Sequence, residues 1–179
     1  MIGYVIGAIV FLIVVIAIIG ISNKLNRALV KIDEADSGID VALTKRYDVL
    51  TKQLDIVKAY AKHEVETITK VIELRRGMPI AEKQAALTEM NAMQDRINVV
   101  AENYPELRSS DNFKTLQNAV TDAEEHLQAA RRAYNANVST FNQMLVTFPS
   151  SVIANSKGLT KREFFEAEEA KKQDVKMEF

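Results

Sequence analysis

The sequence predicts an all-α fold: a single N-terminal transmembrane helix, then a long-helix antiparallel up-and-down bundle of three long helices plus a short C-terminal helix. Three observations predict it. Met1 to Ser22 carries no charged side chain. Beyond it, apolar residues recur at three- and four-residue steps, the spacing of one helical face. The 179 residues include only three prolines and six glycines, in a composition rich in Ala, Glu, Lys, Leu and Gln.

The first element is an anchor, residues 1–22. From Ile2 to Ile21 a helix is roughly 30 Å long, the thickness of a bilayer core. A cleaved signal would need a basic n-region and a small-x-small cleavage site, and this stretch shows neither. Lys24, Arg27 and Lys31 follow the span while only Met1 precedes it, so the positive-inside rule puts the bundle on the cytoplasmic side of a bacterial cell membrane. Gly3 and Gly7 form a small-xxx-small pair that could pack span on span, although two glycines near a helix end with no partner is the preferred reading.

The long helices follow in order. Leu25, Leu29, Ile32, Ile39, Leu43, Tyr47, Leu50, Leu54 and Val57 mark one face, and Ala61, Val65, Ile68 and Ile72 continue it. The spacing predicts a helix unbroken from Asn23 to Arg76, soft only at Asp36-Ser37-Gly38, and stopped by Gly77 and Pro79. A second helix is expected from Ile80 to Asn103, through Leu87, Met90, Ile97 and Val100, broken at Tyr104-Pro105. Ser110 offers an N-cap to a third, whose stripe includes Phe113, Leu116, Val120, Leu127, Tyr134, Val138, Phe141, Leu145 and Phe148, with Pro149 as its stop.

Helix two is about 36 Å long and helix three about 58 Å. The difference predicts that Tyr104 to Ser109 runs on toward the membrane before helix three starts, level with Ile39. Residues 23–38 are then an unaccompanied helical stalk and 39–149 the bundle. The short second helix leaves part of the groove between helices one and three uncovered. The tail, 150–179, with a charged helix near Glu166 to Lys172 between the apolar ends Phe164-Phe165 and Val175 to Phe179, is expected to dock there by both ends; a partner in that groove is the alternative.

A polar line borders the stripe of helix three. With Tyr134 at zero on the wheel, Asn135 lies at about 100°, Asn142 and Glu124 at about 80° and Arg131 at about 60°. Asparagine is a poor helix-interior residue because its amide competes for backbone hydrogen bonds, so its repetition at one angle calls for a reason. Arg46, inside the apolar pattern of helix one, and His63 with Tyr60 and Glu64 are its candidate counterparts. The preferred reading is an interhelical network that fixes register; a partner-binding surface is the other.

Chemistry is sparse. The net charge of −1 gives no basic surplus for nucleic acid, and no cysteine is present for disulfides, thiolate metal sites or nucleophiles. His63-Glu64 is not HExxH, His126 lacks a second imidazole at helical spacing, and no phosphate-binding or nucleophile-elbow motif occurs. The expectation is a protein that is not an enzyme, with no metal, cofactor, small-molecule substrate or nucleic acid.

The chain resembles the bacterial LemA family. The resemblance runs through NKLNRALVKIDEADSGIDVALTKRYDVL, VKAYAKHE, ENYPELRSSDNFKTLQ and EEHLQAARRAYNANVSTFNQMLVTFP to the ending FFEAEEAKKQDVKMEF. It implies a membrane-anchored antiparallel helical bundle and no enzymatic activity, with motif positions at Arg46, Tyr104, Pro105, Glu124, Arg131, Tyr134, Asn135, Asn142 and Pro149. Members of that family often have tryptophan near Glu34 to Asp36 and proline-asparagine at Thr51-Lys52. The missing proline predicts a straighter first helix here.

The function expected is a non-enzymatic membrane-anchored scaffold or adaptor that binds another protein. The alternative is a structural protein that assembles with copies of itself through Gly3, Gly7 and the seam of Leu25, Leu29 and Ile32.

Overall fold

The computed structural model describes residues 1–61, 74–75 and 77–166. Among them are five helices and no strand: α1 (Ile2–Tyr60), α2 (Ile80–Asn103), α3 (Pro105–Ser109), α4 (Asp111–Val146) and α5 (Ser150–Ser156). The all-α class and the long-helix bundle are as the periodicity predicts. The described residues form two compact units, Met1–Ala35 with Ala133–Phe164, and Asp36–Arg132 with Phe165 and Glu166.

In the unit built on Asp36–Arg132, α1 and α2 run side by side in one direction. Lys83 meets Asp36 and Asp40, and one helical stretch later Asn91 meets Arg46. Arg46 also meets Glu124 of α4. From Asn91 to the end of α2, and from the start of α4 to Glu124, are paths of nearly equal length, so α4 retraces α2 antiparallel. The core between them holds Ile39, Leu43, Leu50, Val57, Met90, Ile97, Phe113 and Leu127.

Three expectations need correction here. Helix one ends at Tyr60 and does not run to Arg76. The N–H of Gly77 donates to Asp40 Oδ2 at 3.2 Å, whereas a straight helix would put those residues about 55 Å apart. Residues 62–73, with His63, Glu64, Val65, Ile68 and Ile72, and Arg76 lie outside the described part. Asp36-Ser37-Gly38 is regular helix, because the Lys83 ammonium bridges Asp36 and Asp40 on either side of Gly38. The segment after Tyr104 is the single-turn helix α3, with Pro105 in its first turn and Leu107 fully buried. The chain reverses there, so α4 starts at the Tyr60 end of α1 and not beside Ile39. Ser110 Oγ accepts the N–H of Phe113 at 3.3 Å and starts α4.

The other unit packs Met1–Ala35 of α1 with the end of α4, with α5 and with the chain to Phe164. Its buried apolar residues include Leu25, Ile32, Tyr134, Val138, Phe141, Leu145 and Ala154. Asn137 Nδ2 donates to the Lys31 carbonyl at 3.1 Å, and Lys157 Nζ to Asn26 Oδ1 at 3.1 Å. Residues 23–35 are therefore accompanied and not a bare stalk, and Leu25 and Ile32 already lie inside the unit. Helix α4 stops at Val146, so the helical phase is lost before Phe148, which is 79% exposed and not part of the aromatic core.

The described part of the tail carries the short helix α5, and the helix expected near Glu166 to Lys172 lies outside the described residues beyond Glu166. Helix α5 closes in a Schellman motif: the N–H of Leu159 bonds the Ala154 carbonyl and that of Gly158 the Asn155 carbonyl. Gly158, at φ 65°, takes the left-handed conformation the motif requires. The chain then leaves without regular structure, and its backbone needs partners elsewhere.

Candidate functional site

The polar line on α4 meets that unpaired backbone. In the unit built on Met1–Ala35, Asn142 Nδ2 donates to the Arg162 carbonyl at 2.9 Å and Oδ1 accepts the Arg162 N–H at 2.9 Å. One carboxamide thus satisfies both main-chain groups of one residue. An ionised carboxylate has no donor for this, whereas the carboxamide carries a donor and an acceptor on separate atoms in one plane. Tyr134, whose ring is in the core, donates its hydroxyl to the Glu163 carbonyl at 3.0 Å. Asn135 is half-buried one residue further along α4.

In the unit built on Asp36–Arg132, Arg131 donates from Nη2 to the Glu166 carbonyl at 2.9 Å. Its guanidinium lies 4.7 Å from the centroid of the Phe165 ring, which is buried. Each of these α4 side chains thus holds a main-chain oxygen within its own unit, and Phe165 is buried beside Arg131.

Glu124 does a different job. Its Oε2 lies 3.0 Å from Arg46 Nη2 as a charge contact and not an aligned hydrogen bond, while the same Nη2 donates to Asn91 Oδ1 at 2.6 Å. Arg46 is buried, and this one guanidinium ties α1, α2 and α4 together. His63, the other proposed counterpart, lies outside the described residues.

A second ionic node was not foreseen. Lys83 is fully buried, with Nζ 2.7 Å from Asp36 Oδ1 and 2.6 Å from Asp40 Oδ1. Its signal was present: Lys83 stands four residues before Leu87, in phase with Met90, Ile97 and Val100. Gln53, also fully buried, has no hydrogen-bond partner for either amide atom among the described residues.

Of the remaining expected positions, Tyr104 is half-buried at the junction of α2 and α3, and Pro105 opens α3. Ile2, Gly3 and Gly7 are exposed on the apolar part of α1, with open space above both glycines, and Ile21 is half-buried where that part ends. The first residues of α1 are long and apolar enough to cross a membrane. Among the described residues no three His, Asp or Glu side chains gather as a metal site would require. A cleft of about 580 Å³ runs along α1 from Ser37 to Lys52, walled by Leu74, Arg75 and Met78.

Compared with known proteins, residues 35–179 match the model of the LemA family. Protein LemA of Metamycoplasma hominis is 29% identical over 162 residues, covering 88% of this chain and 74% of that protein. The magnetosome protein MamQ of Magnetospirillum gryphiswaldense is 27% identical over 70 residues, 39% of this chain and 26% of its own length. Magnetosome protein MamQ 2 of Paramagnetospirillum magneticum is 29% identical over 75 residues, 42% of this chain and 28% of its own.

Proposed function

The chain belongs to the LemA family, and from that membership and the geometry above we propose that it is a non-enzymatic, membrane-anchored scaffold that presents its helical bundle to another protein. It is a membrane-associated protein of the LemA type, with one N-terminal helix apolar enough to span a bilayer. In this reading residues 1–22 are the anchor and the tail from 150 lies against α4. The observation that carries the proposal is the bond pair between Asn142 and the main chain of Arg162. A helix face that grips extended backbone is built to receive a chain segment, and the described side chains supply no reacting group beside it.

Full-length protein purified from detergent extracts of its own cells tests this. A specific protein recovered with it, and lost when the α4 face is altered, supports the scaffold; repeated recovery of the chain alone rejects it. The side of the membrane is tested separately. The chain has no cysteine, so Lys161→Cys, at an exposed position, is a single reporter for an impermeant maleimide. Labelling only after the membrane is opened fits a cytoplasmic bundle, and labelling on intact cells rejects it.

A further inference from the structure

We propose that the turn joining α4 to α5 is a second membrane contact, a wedge that inserts into the interfacial layer of the bilayer that α1 crosses. The inference rests on the reading of α1 as a membrane span. Its level follows from two pairings along the continuous helices α1 and α4. Glu124 stands beside Arg46 and Asn137 beside Lys31, so α4 runs antiparallel to α1. Val146 lies nine residues past Asn137 (146 − 137), and nine residues before Lys31 is Ser22 (31 − 9), about 14 Å along the axis. Val146 is thus level with Ser22, where the charge-free segment of α1 ends. The Lys157–Asn26 bond brings the far end of α5 back to the same region of α1.

At that level the turn exposes apolar side chains: Val146 is 66% exposed, Phe148 79% and Val152 60%. Two of its hydroxyls are turned back onto its own main chain. Thr147 donates its hydroxyl to the Gln143 carbonyl at 2.8 Å, and the Ser150 hydroxyl lies 2.7 and 2.8 Å from the carbonyls of Met144 and Thr147. From Ala133 to Ser156 the chain has no Asp, Glu, Lys or Arg, although the whole protein is 26% charged. Basic residues stand just on the water side: Lys24 and Arg27 on α1, Lys157 after α5. Apolar tips whose neighbouring hydroxyls are already bonded, flanked by cations, fit an interfacial lipid layer with anionic headgroups. Continuity with the exposed apolar surface of α1 assigns the patch to lipid and not to a second protein.

The chain contains no tryptophan, so single replacements report depth without background. Full-length Phe148→Trp, Phe11→Trp and Tyr104→Trp are reconstituted into vesicles of phosphatidylcholine and phosphatidylglycerol whose acyl chains carry bromine near the headgroup or near the bilayer centre. The proposal expects Phe148→Trp to lose much of its emission to the shallow bromines and little to the deep ones. Phe11→Trp is quenched by both, and Tyr104→Trp by neither. Phe148→Trp emission unaffected while Phe11→Trp is quenched overturns the wedge and leaves the span intact. A blue-shifted but unquenched Phe148→Trp gives the patch to another protein surface and also overturns it. An unquenched Phe11→Trp rejects the span, and the wedge with it.

Discussion

Asn142 and Arg162 are paired as two residues of neighbouring strands would be, with the carboxamide standing in for one of the two backbones at 2.9 Å in each direction. The pairing predicts a graded response. Asn142→Ala leaves the Arg162 main chain to water and should lower stability by about 0.5–1.5 kcal/mol. Asn142→Asp keeps the acceptor but turns an anionic oxygen toward the Arg162 carbonyl, and should be at least as destabilising as Ala. Trypsin is the sensitive probe, because Lys161 and Arg162 are its sites: cleavage there should be several-fold faster in Asn142→Ala, with the helices otherwise intact.

Lys83 should be far more costly to remove. It is buried between two carboxylates, so Lys83→Ala strands both Asp36 and Asp40 and should cost about 3–5 kcal/mol in chemical denaturation. Lys58, paired with Asp55 in the open, should cost less than about 0.5 kcal/mol as Lys58→Ala.

Arg46 and Glu124 are expected to be coupled. A double-mutant cycle of Arg46→Ala and Glu124→Ala should return an interaction of about 1–3 kcal/mol, since each partner alone leaves the other beside the core. A result near zero would make the 3.0 Å contact incidental.

Gln53 offers a gain. Both of its amide atoms are buried without partners among the described residues, and a branched apolar chain of similar size fits a Leu-rich helix face. Gln53→Leu should raise stability by about 1–2 kcal/mol, read as a higher denaturation midpoint.

These sites differ in how far the sequence revealed them. The anchor, the stripe from Phe113 to Leu145 and the Tyr104-Pro105 break were legible because periodicity and helix-breaking residues are local signals. The end of α1 was not. Nothing at Tyr60 or Ala61 resembles a stop, and apolar spacing records the face of a helix without recording where its axis ends. Lys83 was not legible because a charged letter carries no sign of burial, even in phase with Leu87. Phe148 was misplaced for the opposite reason, its phase being right but its helix already over. The polar line on α4 was readable, yet the atoms it holds were not: they are main-chain atoms, and every residue has the same ones.

That last property sets what the tail is free to become. In the unit built on Met1–Ala35, Arg162 and Glu163 are held by main-chain atoms, so their side chains can be exchanged, charged or modified while the grip persists. A segment that needs only an extended backbone there is a loose password. Many chains could spell it, and a competing segment needs little more than a stretch of free main chain to contend for the same face of α4.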